Sequence, residues 1–387
     1  MTNAVDALQC LPLDPDRLDA TLTRWQAEQP AMALLALVPE ALALQLPVLQ
    51  TACRARGILL AGAVFPAVIV DAAFSTDVVW LLRLDRPAPG FLLADLAPDA
   101  AQAAQTIADR TAAALPAPDA AGEPPTLFLL FDSQVPHIAS VLDGLYLRLA
   151  DRVRYAGVNA GSETFQPMPC LFDQDRVVGQ GVLGLLLSGA SQTLLAHGYP
   201  VPEHAMTATS TAGNQILSID WQPAFDVYQQ IIRDQYGIAL TRDNFYQYAV
   251  HFPFGILCAN GEVVVRIPVA VAEDDSLFCV GEVPENAMLV LLKAPSAGEN
   301  GCIRRLAGKL HAANGDVKNA PLLTFYCAGR RMHLGEGAAS ELAELYADSR
   351  AATMAGALSL GEIGSTVRRG YPLFHNATLV SMPWRPA

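Results

Sequence analysis

Lysine is scarce in this chain of 387 residues: three lysines stand beside 22 arginines, and 38 acidic residues outnumber all the basic ones. The formal net charge is −13 at pH 7. Nucleic acids and anionic membranes bind proteins through basic surfaces. We therefore expect neither a nucleic acid nor a membrane as the main partner.

The chain also lacks a long apolar run and a basic N-terminus. Its longest apolar segment, residues 58–74, is interrupted by Pro66 and Asp71, whereas a membrane-spanning helix needs about 18 or more apolar residues. The first residues show no basic stretch followed by an apolar core, so no signal peptide is predicted. The abundance of alanine and arginine is typical of a bacterial protein, and we expect the protein to be cytoplasmic.

Paired cysteines and the common catalytic motifs are missing as well. Seven cysteines are scattered along the chain, never as Cys-x-x-Cys, which favours reduced thiols over a disulfide framework or a zinc site. No P-loop, nucleophile elbow or His-Glu-x-x-His helix is present. One formal dinucleotide-binding match, residues 179–184, lies in a predicted strand and not at a strand-to-helix turn.

Two similar blocks stand out among the features that are present. Each predicts a buried strand, a helix and a second strand, over residues 31–61 and 126–156, and each closes on an Ala-Gly pair. We predict an α/β N-terminal domain, residues 31–218, with an internally duplicated strand–helix–strand unit. Gly62 and Gly157 should then lie at equivalent strand ends, with their strands in one sheet. Two ordinary units with coincident endings remain the alternative.

The flanking regions predict different structures. Residues 1–30 form an N-terminal helix, because Asp14 is a suitable cap and Pro15 suits the first helical position. Residues 219–387 form a second, α+β domain with a largely antiparallel sheet and helices, since successive strand patterns follow one another from residue 263 to residue 293.

A small-residue loop follows the second block and is a candidate ligand site. Open α/β sheets bind ligands at the carboxyl ends of their strands. Asn159, Ser162 and the N–H of Gly161 are suited to hold a carboxylate or an amide, and Glu163 to meet a cation. A plain glycine turn is the alternative.

Two further polar groups of residues are candidates. Cys327 ends an apolar strand and is followed by Arg330 and Arg331, whose charges favour a thiolate if the sulfur is exposed; a buried, inert thiol is the alternative.

The stretch of residues 360–380 combines a carboxylate, two guanidiniums and an imidazole, in Glu362, Arg368, Arg369 and His375, followed by the amide of Asn376. It is a candidate site, and a solvated hairpin tip is the alternative.

These motifs resemble a known family. The C-terminal half resembles the FIST C-terminal domain in its Cys327-x-x-Arg330 strand end, a helix over residues 336–354, and the segments 361–364 and 375–378. The first half is similar to the FIST N-terminal domain in its Ala-Gly strand ends, the loop 159–162 and the Ala-His-Gly segment 196–198. The resemblance implies a small-molecule-binding intracellular sensory protein that acts in signal transduction and is not an enzyme.

The resemblance also implies partners and ligands. FIST domains often accompany histidine kinases or cyclic-dinucleotide enzymes, so a separate signalling partner of that kind is expected here. Amino acids are the usual suggestion for the ligand. Stand-alone relatives that bind haem and sense nitric oxide make haem a candidate cofactor, with His375 as its iron ligand and the nearby arginines at the propionates.

Two other classes of function remain open. Cys327 as nucleophile, with Glu362 and His375 as acid and base, would make the protein a cysteine-dependent enzyme. A protein-interaction scaffold would have a domain interface without a pocket.

Overall fold

In a computed structural model, the fold is described for residues 4–115, 123–188, 192–259, 261–296, 301–315, 317–365 and 370–385. These residues form three units, which share one order of strands and helices, and one insert. Arg368 and Arg369 lie outside the described residues.

Unit 1 covers residues 8–84. Its α1 begins as predicted: the Asp14 side chain accepts a hydrogen bond from the N–H of Arg17 at 3.0 Å, and Pro15 is the first helical residue. Residues 1–30 also contain a strand beside this helix. In chain order the elements are β1 (Leu8–Leu11), α1 (Pro15–Glu28), β2 (Ala33–Pro39), α2 (Leu46–Arg56), β3 (Leu59–Phe65), β4 (Val68–Val70), β5 (Ala73–Ser75) and β6 (Val79–Leu84).

Unit 2 covers residues 90–187 and repeats that order. Asp99 caps its first helix by accepting from the N–H of Gln102 at 2.8 Å. The elements are β7 (Gly90–Leu93), α3 (Ala100–Ala114), β8 (Thr126–Asp132), α4 (Ile138–Leu149), β9 (Arg154–Ala160), β10 (Leu171–Asp173), β11 (Val177–Val178) and β12 (Val182–Leu187).

Unit 3 is interrupted by the insert, residues 206–291. It begins with β13 (Leu194–Ala196). The insert then contains β14 (Met206–Ala212), β15 (Gln215–Ile219), β16 (Gln222–Pro223), α5 (Ala224–Tyr236), α6 (Phe245–Ala249), β17 (Phe254–Leu257), β18 (Val263–Arg266), β19 (Pro268–Val271), β20 (Leu277–Cys279) and β21 (Met288–Leu291). Unit 3 continues with α7 (Cys302–Asn314), β22 (Pro321–Cys327), α8 (Ala328–Leu334), α9 (Gly337–Ser349), β23 (Thr353–Ser359), β24 (Glu362–Gly364), β25 (Leu373–His375) and β26 (Leu379–Pro383).

Each unit builds one sheet with the same strand order: β1-β6-β2-β3, β7-β12-β8-β9 and β13-β26-β22-β23. The last two strands in each list pair in parallel over their whole length. These strands read as continuous apolar runs because both of their faces are buried, one under helices and one in the centre. The insert has its own sheet, in which every pairing is antiparallel.

The units are joined by exchanged hairpins. The hairpin β10–β11 of unit 2 extends the sheet of unit 1, β24–β25 of unit 3 extends that of unit 2, and β4–β5 of unit 1 extends that of unit 3. The three units therefore form a closed cycle, called the body below. At its centre the inner faces of the sheets meet: Phe325 lies 5.8 Å from Phe65 and 6.0 Å from Phe128 between ring centroids.

The predicted fold class is confirmed, with three corrections. Gly62 and Gly157 hold equivalent positions, as expected, but each is the fourth of seven residues and not a strand end, because both strands continue for three residues beyond the glycine. Their strands also lie in different sheets, because every copy of the unit builds its own. A third copy, with Gly356 at the same position, was missed in the C-terminal half.

The predicted helix over residues 336–354 ends at Ser349, because the chain turns at Arg350 in the left-handed region to enter β23. The predicted division at residue 218 stays a prediction; three strand pairings, β4 with β23, β24 with β9 and β13 with β26, cross it. None of the described helices combines the length and apolar character that a membrane span requires.

Candidate functional site

The polar residues of the C-terminal stretch lie at the ends of buried strands. The hairpin β24–β25 crosses the end of β9, where the N–H of Asn159 donates to the carbonyl of Gly361 at 2.9 Å and the N–H of Leu360 donates back at 3.0 Å. Residue 361 is glycine because a Cβ there would collide with the ring of Phe374. This arrangement buries five polar side chains, which we call the strand-end cluster: Asn159, Cys327, Glu362, His375 and Asn376.

Glu362 is the acidic member of the strand-end cluster and is fully buried. Its two carboxyl oxygens accept hydrogen bonds from Ser359 Oγ at 2.6 Å and from Thr378 Oγ1 at 2.7 Å. Burial raises the pKa of Glu362 to about 7, although these hydroxyls and the Cys327 thiol favour its charged form. The carboxyl group therefore changes its charge near neutral pH.

The thiol of Cys327 lies beside that carboxyl group. It is 3% exposed, and its sulfur accepts a hydrogen bond from the N–H of Ala377 at 3.1 Å. Burial and the nearby Glu362 carboxylate raise the pKa of Cys327 above its usual range. The sulfur is therefore a neutral thiol in this arrangement, which corresponds to the inert alternative given above.

Four polar atoms of the strand-end cluster have no hydrogen-bond partner among the described residues. They are both ring nitrogens of His375, Oδ1 of Asn159 and Oδ1 of Asn376. Burial lowers the pKa of His375 well below its usual range, so the imidazole is neutral. His375 also pairs across the hairpin with Glu362, but its ring makes no hydrogen bond to the Glu362 carboxyl group.

The cluster borders a cleft between the body and the insert. A cavity of about 30 Å³ is lined by Cys327 and Asn376. A second cavity, of about 400 Å³, is lined by Asn159 and Phe374 from the body and by Glu282 from the insert. A third, of about 440 Å³, shares Phe374 and Glu282 and adds Arg266. The cleft thus has room for a small molecule, since ligand pockets measure about 300–1,000 Å³.

The other predicted loop residues lie around this cleft in separate roles. Gly161 donates its N–H to the carbonyl of Val64 at 2.9 Å, and Ser162 Oγ lies 2.9 Å from the hydroxyl of Thr164 within its own turn. Glu163 is 47% exposed, lines the smallest cavity and lies 3.9 Å from Arg331. The loop therefore contributes Asn159 to the cluster but keeps Ser162 for local structure.

The two predicted arginines differ sharply in environment. Arg330 is 1% exposed and makes a two-pronged ion pair with Glu341, at 2.7 and 2.8 Å, while it donates to the carbonyl of His197 at 2.6 Å. Arg331 is 40% exposed and lies over the ring of Phe74. Arg330 holds α8 and α9 together, and only Arg331 is available to a ligand at the surface.

Two residues that the sequence did not single out connect the insert to the body. Glu282 accepts from the N–H of Ser140 at 2.9 Å and from its hydroxyl at 2.5 Å, so it caps α4 from a distance of 142 residues along the chain. Arg266 donates to the carbonyl of Phe374 at 2.8 Å. The sequence signal for both is weak, because each contact depends on a fold that brings distant segments together.

The haem group that the resemblance implies does not fit at His375. An iron ligand must point a ring nitrogen into a cavity that holds the porphyrin. The His375 ring is fully buried and lines none of the three cavities described above. No group of three or more His, Cys, Asp or Glu residues in the described part of the chain is arranged to hold a metal ion.

Comparison with known families covers most of the chain. The FIST N domain matches residues 33–222, and the FIST C domain matches residues 224–365. No curated protein matches the chain. FIST domains are small-ligand-binding signalling domains that are sensory in character. The chain belongs to the FIST domain family.

Proposed function

We propose that this protein is an intracellular sensor that binds a small polar molecule in the cleft between the body and the insert. The observation that carries the proposal is a pair of unpartnered buried oxygens, Oδ1 of Asn159 and Oδ1 of Asn376, whose residues line cavities of that cleft. Each unpartnered buried polar atom costs about 1–3 kcal/mol of stability. A bound molecule that supplies the missing hydrogen bonds accounts for their presence.

An amino-acid-like ligand agrees better with this cleft than haem does. Cavities of about 400 and 440 Å³ suit a small polar molecule, and the lining includes both a carboxylate, Glu282, and a guanidinium, Arg266. The isolated position of His375 argues against iron coordination.

The cleft also provides a route for the signal. Glu282 and Arg266 of the insert hold Ser140 and Phe374 of the body, and both cavities adjoin these contacts. A ligand with different affinities for two positions of the insert shifts the equilibrium between them. The receiver is a separate signalling protein, of the histidine kinase or cyclic-dinucleotide enzyme class that FIST domains accompany.

The proposal is tested by screening the twenty amino acids one at a time for an increase in melting temperature, followed by calorimetric titration of those that raise it. We expect a small set to raise the melting temperature by a few degrees. Asn159→Ala, which removes an unpartnered acceptor from the cavity lining, should weaken the response, and His204→Ala, a substitution of an exposed histidine, should leave it unchanged.

Two results would contradict the sensor proposal. A screen in which no small molecule binds would favour the scaffold alternative. Turnover of a compound from a cell extract, abolished in Cys327→Ser but kept in Cys258→Ser, would favour the cysteine-dependent enzyme.

A further inference from the structure

The cavity of about 400 Å³ has an unusual balance of charges. No lysine or arginine is among the residues that line it, whereas Glu282 places a carboxylate there. The other polar side chains in the lining are neutral amides, a hydroxyl, the thiol of Cys279 and the imidazole of His137. A ligand with a free carboxylate would therefore find no cationic side chain in this cavity.

The protein uses only some of the hydrogen-bond acceptor positions of the Glu282 carboxylate. Its side chain is 14% exposed, and it receives hydrogen bonds from the N–H and hydroxyl of Ser140, with Nδ1 of His137 at 3.3 Å. A carboxylate offers about four acceptor positions. Within the described residues the Glu282 carboxylate forms no ion pair with a lysine or arginine, because the Arg266 guanidinium donates to the Glu282 backbone carbonyl instead, at 2.8 Å. The carboxylate therefore keeps acceptor positions for a cation in the cavity.

A second acceptor in the same cavity has no partner. Asn159 is 3% exposed, lines this cavity, and its Oδ1 accepts no hydrogen bond from any described residue. Its backbone forms two hydrogen bonds with the segment Leu360–Gly361, and Oδ1 itself is shielded from solvent. A buried acceptor of this kind calls for a hydrogen-bond donor from the ligand, and an ammonium or amidinium group supplies one together with the charge that Glu282 complements.

Aromatic rings complete the lining. Phe374 and Phe165 both border the cavity. The ring of Phe374 already has the Arg266 guanidinium over it, 5.6 Å from its centroid, so Phe165 is the ring of this pair to which an organic cation would be attracted. Phe165 is held at a φ of 56°, in the left-handed region that bulky residues rarely adopt. Strain of this kind persists where the surrounding structure requires it and is concentrated at ligand sites.

We infer that the molecule bound in this cavity carries a positively charged nitrogen, as a primary amine or an amidine, with Glu282 as the counter-ion and Asn159 as the second acceptor. The inference rests on the proposed function and specifies the chemical class of ligand. Because the cation meets the residue that caps α4, its binding acts directly on the contact between insert and body.

The test uses three probes with the same four-carbon chain and different end groups: putrescine, butanediol and succinate. Calorimetric titration of the full chain should give saturable binding of putrescine and none of the other two. Glu282→Gln should weaken putrescine binding at least about tenfold, the effect of one charge-assisted hydrogen bond. The matched control is Glu285→Gln, which removes the same charge from the neighbouring cavity and should change the affinity less than about twofold.

The outcomes separate this inference from the proposed function. Binding of succinate or butanediol as tight as that of putrescine, or equal putrescine affinity in wild type and Glu282→Gln, would overturn the amine inference and leave the sensor proposal standing. Putrescine binding that is lost in Glu285→Gln but kept in Glu282→Gln would place the cation in the other cavity and overturn the assignment. If none of the three probes binds, while the amino-acid screen gives a ligand whose affinity is the same in wild type and Glu282→Gln, the amine inference is wrong and the sensor proposal holds.

Discussion

The three sheets of the body can be compared position by position, because their strands share one register. Three positions are compared in each sheet. In the sheet of unit 2 they are Asn159, the sixth residue of β9; Glu362, the hairpin residue that pairs with the fifth residue of β9; and His375, which pairs with Glu362 across the hairpin. The equivalent residues in the sheet of unit 1 are Val64, Leu171 and Val178.

The sheet of unit 3 supports the same contrast. Its equivalent residues are Leu358, Val68 and Ser75, so only the hairpin position that pairs with Val68 is polar. The same geometry is thus built twice with largely apolar side chains. The fold therefore does not require polarity at these three positions, which supports the proposal that the strand-end cluster in the sheet of unit 2 serves ligand binding.

The largest effect on folding is expected at the glycine that all three units share, the fourth residue of β3, β9 and β23. A Cβ on Gly356 would lie closer to the backbone oxygen of Thr324 than real side chains permit. Gly356→Ala should therefore prevent formation of the parallel pair β22–β23 and yield little folded protein, as judged by circular dichroism and gel filtration.

The matched control for that substitution is Gly308→Ala, on the exposed side of α7 with open space around it. It should raise the free energy of unfolding by up to about 1 kcal/mol, because alanine favours the helix. Normal folding of Gly356→Ala would show that close strand contact is not what the repeated glycine provides.

A second substitution tests a buried polar residue that is needed for stability, in contrast to those of the strand-end cluster. Arg330→Ala leaves the buried Glu341 carboxylate without its ion-pair partner, which should lower the free energy of unfolding by about 3–5 kcal/mol. Arg331→Ala, at the exposed neighbour, should cost less than about 1 kcal/mol. Urea titrations of the two variants measure the difference, and equal losses would contradict the distinction drawn between the two arginines.

The pH dependence of stability sharpens the comparison further. Glutamate ionises near pH 4.5 in the unfolded chain, whereas the pKa of Glu362 in the folded protein is about 7. Between these values the folded protein holds a proton that the unfolded chain has released. The contribution of Glu362 is therefore full below pH 4.5 and is lost as the pH rises towards 7, by roughly 3 kcal/mol in total.

Glu362→Gln should remove this trend, and urea titrations across that pH range measure it. The lowered pKa of His375 acts in the opposite direction, since its contribution is lost as the pH falls below its ordinary value of 6.5. The wild-type profile should accordingly be flatter than that of Glu362→Gln, which retains only the loss at low pH. Parallel profiles for the two proteins would show that Glu362 does not hold its proton in the folded state.

The smallest effect concerns haem. Because His375 lines none of the three cavities described for the cleft, hemin titrated into wild type and into His375→Ala should give the same Soret spectrum. A Soret band that is present in wild type and lost in His375→Ala, but kept in His204→Ala, would restore the haem expectation.

The sequence predicted the repeating strand–helix–strand pattern and the start of α1 because these depend on local signals, such as apolar runs and the Asp14 cap. It missed the third unit although Ala355-Gly356 repeats the Ala-Gly pair of the first two units. In unit 3 the extra helix α8 lengthens the connection between β22 and α9, so the strand–helix–strand pattern is less regular than in the other units. The turn after Ser349 is short, and the helix predicted from the sequence therefore extended into β23.

The candidate site was predicted in part. Cys327, Glu362, His375 and Asn376 do come together with Asn159, because strand ends and the hairpin meet at one edge. Glu282 was not foreseen, since its role as a cap for α4 depends on a contact between the insert and unit 2. Local patterns carry no information about such distant pairs.

The central claim is that the strand-end cluster exists for a ligand and not for the fold. It is tested most directly by giving the sheet of unit 2 the side chains of unit 1, in the triple variant Asn159→Val, Glu362→Leu and His375→Val. The account predicts a folded protein that is at least as stable as wild type in urea titration at neutral pH, because buried polar groups are replaced by apolar side chains in an arrangement that the fold already uses. It also predicts that the ligand-induced increase in melting temperature is lost. A triple variant that is strongly destabilised, or one that keeps the full response to ligand, would contradict it.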